Sequence, residues 1–227
     1  MDLIRISLKY CKKIVSILLI LLVLVSSNSK DINSYALENN DYKVEETIKT
    51  EKYQLNQETI NNLLKKAKVT DWEDFQDVMK IGSRFIVVDY YTGYYWVAER
   101  WMGANHADIE TIDKEATKIV KKVYRDRENW KRRPVLVVFE NGEVYCASSF
   151  VIFHAGLDSE KYLKIIDNRS QNYGRGENYD YIKGNGADGH NCIHVRKSTN
   201  HFDGKINQEH QSNIDFLEKE KDKLLKN

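Results

Sequence analysis

Cysteine is scarce in this chain of 227 residues: there are three, and the first, Cys11, lies in the opening segment. The other two, Cys146 and Cys192, are too few for the disulfide framework of a small secreted domain; they leave one bridge or a free reactive thiol. Proline is scarcer still, with a single residue, and no internal repeat or low-complexity run accompanies it. Collagen-like and proline-rich architectures are therefore excluded. Charge of one sign is also lacking, since the formal net charge is +1. A near-neutral balance has none of the concentrated basic surface that nucleic-acid binders carry, so no nucleic-acid partner is expected.

A long hydrophobic run is missing too. The longest apolar stretch, Ile14 to Val25, is broken by Ser16 and falls short of the ~20 residues that span a bilayer as a helix. It follows Arg5, Lys9, Lys12 and Lys13 and ends in Ser26, Ser27 and Ser29. A basic start, a short apolar segment and a small-residue exit are the pattern of a cleaved secretory signal. Residues 1–29 are thus expected to leave, taking four positive charges and one negative, so that the formal charge falls to −2. The mature chain is expected in the cell envelope of a bacterium or secreted, with no stable membrane span.

Residues 30–80 read as a polar leader followed by two short helices. Ile60, Leu63, Leu64 and Ala67 recur at helical spacing behind Asn56, and Trp72, Phe75, Val78 and Met79 do so behind Asp71. From Gly82 the pattern changes to β-branched and aromatic residues. Arg84–Tyr91 and Tyr94–Arg100 flank Thr92-Gly93, and Pro134–Phe139 and Glu143–Ala147 flank Asn141-Gly142, which predicts two β-hairpins. A surface helix is expected after Asp113, another over Asp158–Ile166, a strand at Cys192–Val195 and a solvated helix after Asn207. The fold class is α+β, a β-rich mixed sheet or sandwich with peripheral helices, over residues 81–227. Asn105–Glu110 reads as a polar loop, and the aromatic residues Tyr90, Tyr91, Tyr94, Tyr95, Trp96 and Trp101 as core packing on one side of a sheet.

The chemistry is concentrated near the C-terminal end. All six histidines follow residue 100, and His190, Cys192 and His194 occupy alternate positions of a five-residue stretch. On an extended strand all three share a face. A thiol beside imidazoles has the parts of an activated nucleophile, because a histidine can take the thiol proton. The glycine-punctuated stretch before them, Gly174 to Gly189, reads as a lid over that site. His190, Cys192, His194, His201 and Asp203 also supply zinc-compatible ligands. Neither His-Glu-x-x-His nor a paired Cys-x-x-Cys is present, so no metal and no cofactor are expected.

Gly189-His190-Asn191-Cys192-Ile193-His194 resembles the Ser-His-Gly-Cys-x-Arg signature of the L,D-transpeptidases of the YkuD type, and Phe153-His154-Ala155-Gly156 resembles their upstream His-Gly pair. Asn191 and His194 stand where that family has glycine and arginine. The resemblance implies a cysteine enzyme that acts on peptidoglycan stem peptides through a thioester. Cys192 would be the nucleophile, His190 its base, and His154 and His194 helpers at the reacting centre. Gly156, Asn191 and Ser198 would line the substrate path, with backbone N–H groups near Asn191 and Cys192 holding the oxyanion. Two other expectations stand beside it: a wall-binding module without activity, and a zinc-dependent wall hydrolase.

Overall fold

A computed structural model describes residues 52–124 and 130–226. The expected signal and polar leader, residues 1–51, lie outside them. The body that begins at Tyr53 includes both N-terminal helices, so these belong with the strands and not with the leader. The expected caps form. Asn56 accepts Thr59 N at 2.9 Å to start α1 (Gln57–Lys66), and Asp113 accepts Ala116 N at 2.8 Å to start α3 (Lys114–Val123). Each satisfies a backbone donor that a helix start leaves unpaired. Between them, α2 (Trp72–Val78) follows Asp71, whose side chain makes no cap bond and instead pairs with Lys197 at 2.6 Å.

Six strands close into a barrel: β1 (Arg84–Asp89), β2 (Tyr95–Met102), β3 (Ala107–Thr111), β4 (Arg133–Val138), β5 (Val144–Ser149) and β9 (Gly189–His194). Their order is β3-β2-β1-β4-β5-β9, and β9 returns to pair with β3. Every one of these pairings is antiparallel. The two expected hairpins supply β1–β2 and β4–β5, and the α+β class is as the residue pattern indicates. Opposed residues share a face. Val87 stands opposite Trp96 and Val137, Phe85 opposite Ala98, Val135 opposite Ala147, and Ala107 opposite Ile193. These side chains form one buried core with Phe75 of α2, with Met79 just after it and with Ile119 and Val120 of α3.

The alternate residues Ile86, Val88, Leu136 and Cys146 are buried on the other face, where α1 and α4 (Gln208–Lys226) lie against β4 and β5. Ile214 and Leu217 of α4 are fully buried there, each contributing roughly 1.5–3 kcal/mol by leaving water. Among the described residues no helix is long and apolar enough to cross a membrane.

Three expectations need correction. Asn105–Glu110 is not a loop; residues from Ala107 form β3, buried along its whole length. Asp158–Ile166 is not a helix but a series of turns leading into β7 (Ile165–Arg169). The amide of Asn178 takes the turn carbonyls, its Nδ2 donating to Leu157 O at 3.0 Å, Glu160 O at 2.8 Å and Lys161 O at 3.2 Å. Leu163 sits at φ +60°, which a helix does not allow. The glycine-rich stretch is partly regular, since β8 (Gly174–Glu177) pairs with β7.

Candidate functional site

The strand β9 collects the site by register. His190 stands opposite His154 of the short strand β6 (His154–Ala155), Cys192 opposite Asp108 of β3, and His194 opposite Ser148 of β5. Because alternate residues share a face, His190, Cys192 and His194 emerge together on the side away from Ile193, as the spacing predicts. All three line one cavity of about 550 Å³. The other four histidines line it as well: His154 of β6, His106 before β3, His201 beyond β9 and His210 in the first turn of α4. All six histidines of the chain converge on a single cavity.

Gly189 permits the closest approach. Its φ is +99°, and a Cβ there would lie 2.0 Å from His154 O. Gly156 plays the matching part, since its Cβ would lie 2.6 Å from Gly189 Cα. Gly156 therefore acts as a backbone contact that lets β6 reach β9.

At the centre is Asp108, which the residue pattern did not single out. His201 Nε2 lies 3.2 Å from both carboxylate oxygens, His106 Nε2 lies 3.3 Å from Oδ1 and His190 Nε2 lies 3.8 Å from it. The Cys192 thiol donates to the same oxygen at 3.5 Å. Burial alone would raise the Asp108 carboxyl. Hydrogen bonds from His106 and His201 and the nearby His190 outweigh it and hold the group well below the usual carboxylate range. In return, His201 is raised by its bond to Asp108.

Burial pushes the Cys192 thiol well up, and the Asp108 charge adds to this. Burial also lowers the imidazoles: His154 to about 3, with His190 contributing, and His190, His194 and His210 in the same direction. Burial thus favours the neutral form of His154, His190, His194 and His210 and the thiol form of Cys192 beside the Asp108 carboxylate.

Tautomers follow from the acceptors. A carbonyl oxygen accepts and does not donate, so a ring nitrogen bonded to one must carry the proton. His106 Nδ1 bonds Thr199 O at 2.8 Å, His154 Nδ1 bonds Ile152 O at 3.3 Å and His190 Nδ1 bonds Tyr179 O at 3.2 Å. For neutral His154 and His190 this leaves a lone pair at Nε2. His154 then carries no proton at Nε2. His194 Nδ1 is buried with no partner among the described residues. Three ligand groups have their donor atoms within 4.8 Å of one another: His154, His190 and Cys192; His106, Cys192 and His194; His106, Asp108 and His201.

Four expected residues are not among those that line the cavity: Gly156, Asn191, Ser198 and Asp203. Asn191 points to the opposite face of β9, where its Nδ2 donates to Phe150 O at 3.1 Å. Ser198 Oγ accepts Val195 N at 3.0 Å and shapes the turn after β9. Asp203 is an exposed turn former, its Oδ1 accepting Lys205 N at 3.0 Å. Cys146 and Cys192 are both free thiols, so the bridge left open by the cysteine count does not form.

The glycine-rich segment and the residues just before it border the cavity. Arg169, Tyr173 and Tyr179 line it, and the segment is fastened at several points. Arg169 donates to Tyr173 O at 2.8 Å and Gly174 O at 3.1 Å, Glu110 of β3 accepts Tyr181 N and Ile182 N at 2.7 Å each, and Asp180 accepts Gly189 N at 2.7 Å. Of the aromatic cluster, Trp96 and Trp101 are buried and Tyr91 is exposed. Trp101 stands edge-on to His190, with ring centroids 5.5 Å apart, and so backs the site. The rim carries the fully exposed Phe202.

Comparison with protein-family models, with curated proteins and with solved structures gives no match.

Proposed function

We propose that this chain is an exported cell-envelope cysteine acyltransferase with L,D-transpeptidase-like chemistry on peptidoglycan stem peptides. One observation carries the reading: Cys192, His190 and Asp108 meet at the floor of an open cavity, with the thiol 3.5 Å and the imidazole Nε2 3.8 Å from the same carboxylate oxygen. The secretory pattern of residues 1–29 and the two short motifs at His154 and His190 supply the substrate class.

The arrangement suits a thiol that ionises only when substrate arrives. His190, fixed by Tyr179 O, offers Nε2 to the Cys192 proton, and Asp108 stabilises the resulting imidazolium. The thiolate attacks a stem-peptide carbonyl, and the leaving amine takes the proton back from His190. A second amine then attacks the thioester, and Cys192 regains its proton. Arg132 lines the cavity, and its Nε is buried without a partner among the described residues. It is the cationic donor best placed for a developing oxyanion or a substrate carboxylate.

The test is intact-mass spectrometry after incubation with a carbapenem, which acylates cysteines of the resembled family. A single adduct is expected on the metal-free protein and none on Cys192→Ala, with Asp108→Asn slowing its formation at least tenfold. No adduct, or one that survives Cys192→Ala, refutes the nucleophile. A wall-binding module without activity would give no adduct and unchanged binding to purified wall.

A further inference from the structure

We infer that His154, His190 and Cys192 form a binding site for one thiophilic divalent cation of the zinc type. The inference rests on ligand geometry and does not need the acyl-transfer reading. The three donor atoms lie within 4.8 Å of one another. A tetrahedral zinc, with bonds of about 2.0–2.3 Å, draws such atoms to roughly 3.3–3.8 Å, so a contraction of about 1 Å completes the site. The scaffold is rigid: His154 and His190 are opposed residues on paired strands, and Cys192 follows two residues on, on the same face.

The surroundings of each ligand support the assignment. Metal-binding histidines characteristically donate their other ring N–H to a backbone carbonyl, which fixes the tautomer and aims the lone pair. His154 does so to Ile152 O and His190 to Tyr179 O. Both rings are buried, which holds them in place for a ligand. Asp108, 3.5 Å from the sulfur, opposes a bare thiolate there but favours a cation. Two negative charges and two neutral imidazoles form the environment that a divalent ion neutralises. With three protein ligands, the fourth position opens on the cavity.

The second group on Cys192 is less suited. His106 Nε2 already faces Asp108 at 3.3 Å, and His194 has no bond on Nδ1 to fix its tautomer. Binding forms one metal–sulfur and two metal–nitrogen bonds and releases the thiol proton to solvent; nothing is oxidised or reduced. Because the same sulfur pair would attack an acyl donor, metal and acylation exclude one another.

The experiment titrates Zn²⁺ and Co²⁺ into purified protein stripped with a chelator. One ion per chain, one proton released per ion and a thiolate-to-cobalt charge-transfer band are expected. Cys192→Ala should abolish the band, His154→Ala and His190→Ala should each weaken Zn²⁺ at least tenfold, and His194→Ala should leave affinity within about threefold. The wild-type cobalt spectrum reads sulfur ligation even where a variant misfolds. No stoichiometric binding, no charge-transfer band, or loss of affinity through His194 and not through His154 and His190 overturns the site. Zinc should also protect Cys192 from a carbapenem. A metal-free protein that binds zinc but never acylates would sink the acyl-transfer reading alone, and one that acylates but binds no zinc would sink this one alone.

Discussion

Substituting alanine for Gly189 tests whether the approach of β6 to β9 is what assembles the site. Gly189 lies at φ +99°, and an added Cβ would sit 2.0 Å from His154 O, 2.7 Å from His154 C and 2.8 Å from Gly156 N. All three are backbone atoms, so no side chain can swing away. The left-handed conformation costs a non-glycine residue about 1–2 kcal/mol, and forcing the strands apart adds about 1–3 kcal/mol. Gly189→Ala should therefore lose about 2–5 kcal/mol. Gly142 provides the control, because it has φ +84° and nothing within 4 Å of its Cβ position. Gly142→Ala should lose only the conformational part, about 1–2 kcal/mol. Urea denaturation at neutral pH measures both. Gly189→Ala should also fail to form the carbapenem adduct while folded, since β6 carries His154 and borders His190. Equal losses for the two variants, or a folded Gly189→Ala with wild-type acylation, would refute the steric argument.

Glu110 should make stability depend on pH. Burial pushes its carboxyl from 4.5 up to about 8, despite the two N–H groups that it accepts. A raised acid binds its proton in the folded state, so the contribution is whole below about pH 4.5 and drains away as pH rises to about 8; Glu110→Gln should flatten that slope in denaturation curves collected across the range. Cys146, pushed up to about 12 by burial and, unlike Cys192, not lining the cavity, should stay unmodified by iodoacetamide in the folded protein. Peptide mapping should find label at Cys192 first, and equal masses with and without reductant should exclude a bridge between the two.

Much of the fold was legible because it is local. Asn141-Gly142 fixes a hairpin by turn chemistry alone, Asn56 and Asp113 start helices by hydrogen bonds three residues away, and alternation along β9 puts His190, Cys192 and His194 on one face. What escaped was carried by distant partners. Asp108 and Cys192 are 84 residues apart, and only the closure of β3 on β9 makes them neighbours; the acidic residues of Asn105–Glu110 look like a loop until that pairing buries them. The turns at Asp158–Ile166 imitate a helix because Tyr162, Leu163 and Ile166 have helical spacing, while the residue that prevents it, Asn178, acts from beyond β8. Asn191 and Ser198 lie beside the motif in sequence but turn away from the cavity, one by strand alternation and the other by its bond to Val195 N.

The strand that carries the thiol is paired along its whole length, with β6 at Gly189 and His190, with β3 from Asn191 to Ile193 and with β5 at Ile193 and His194. Its main chain therefore has no unpaired stretch to which a peptide could add as a further strand, the route by which many proteins hold extended ligands. On the proposed function, an acyl donor would reach Cys192 through the cavity that Phe202, Tyr173 and Arg132 help to line. Selectivity at Cys192 then belongs to side chains and to the bordering segment, and it can change without disturbing the sheet that holds the sulfur in place.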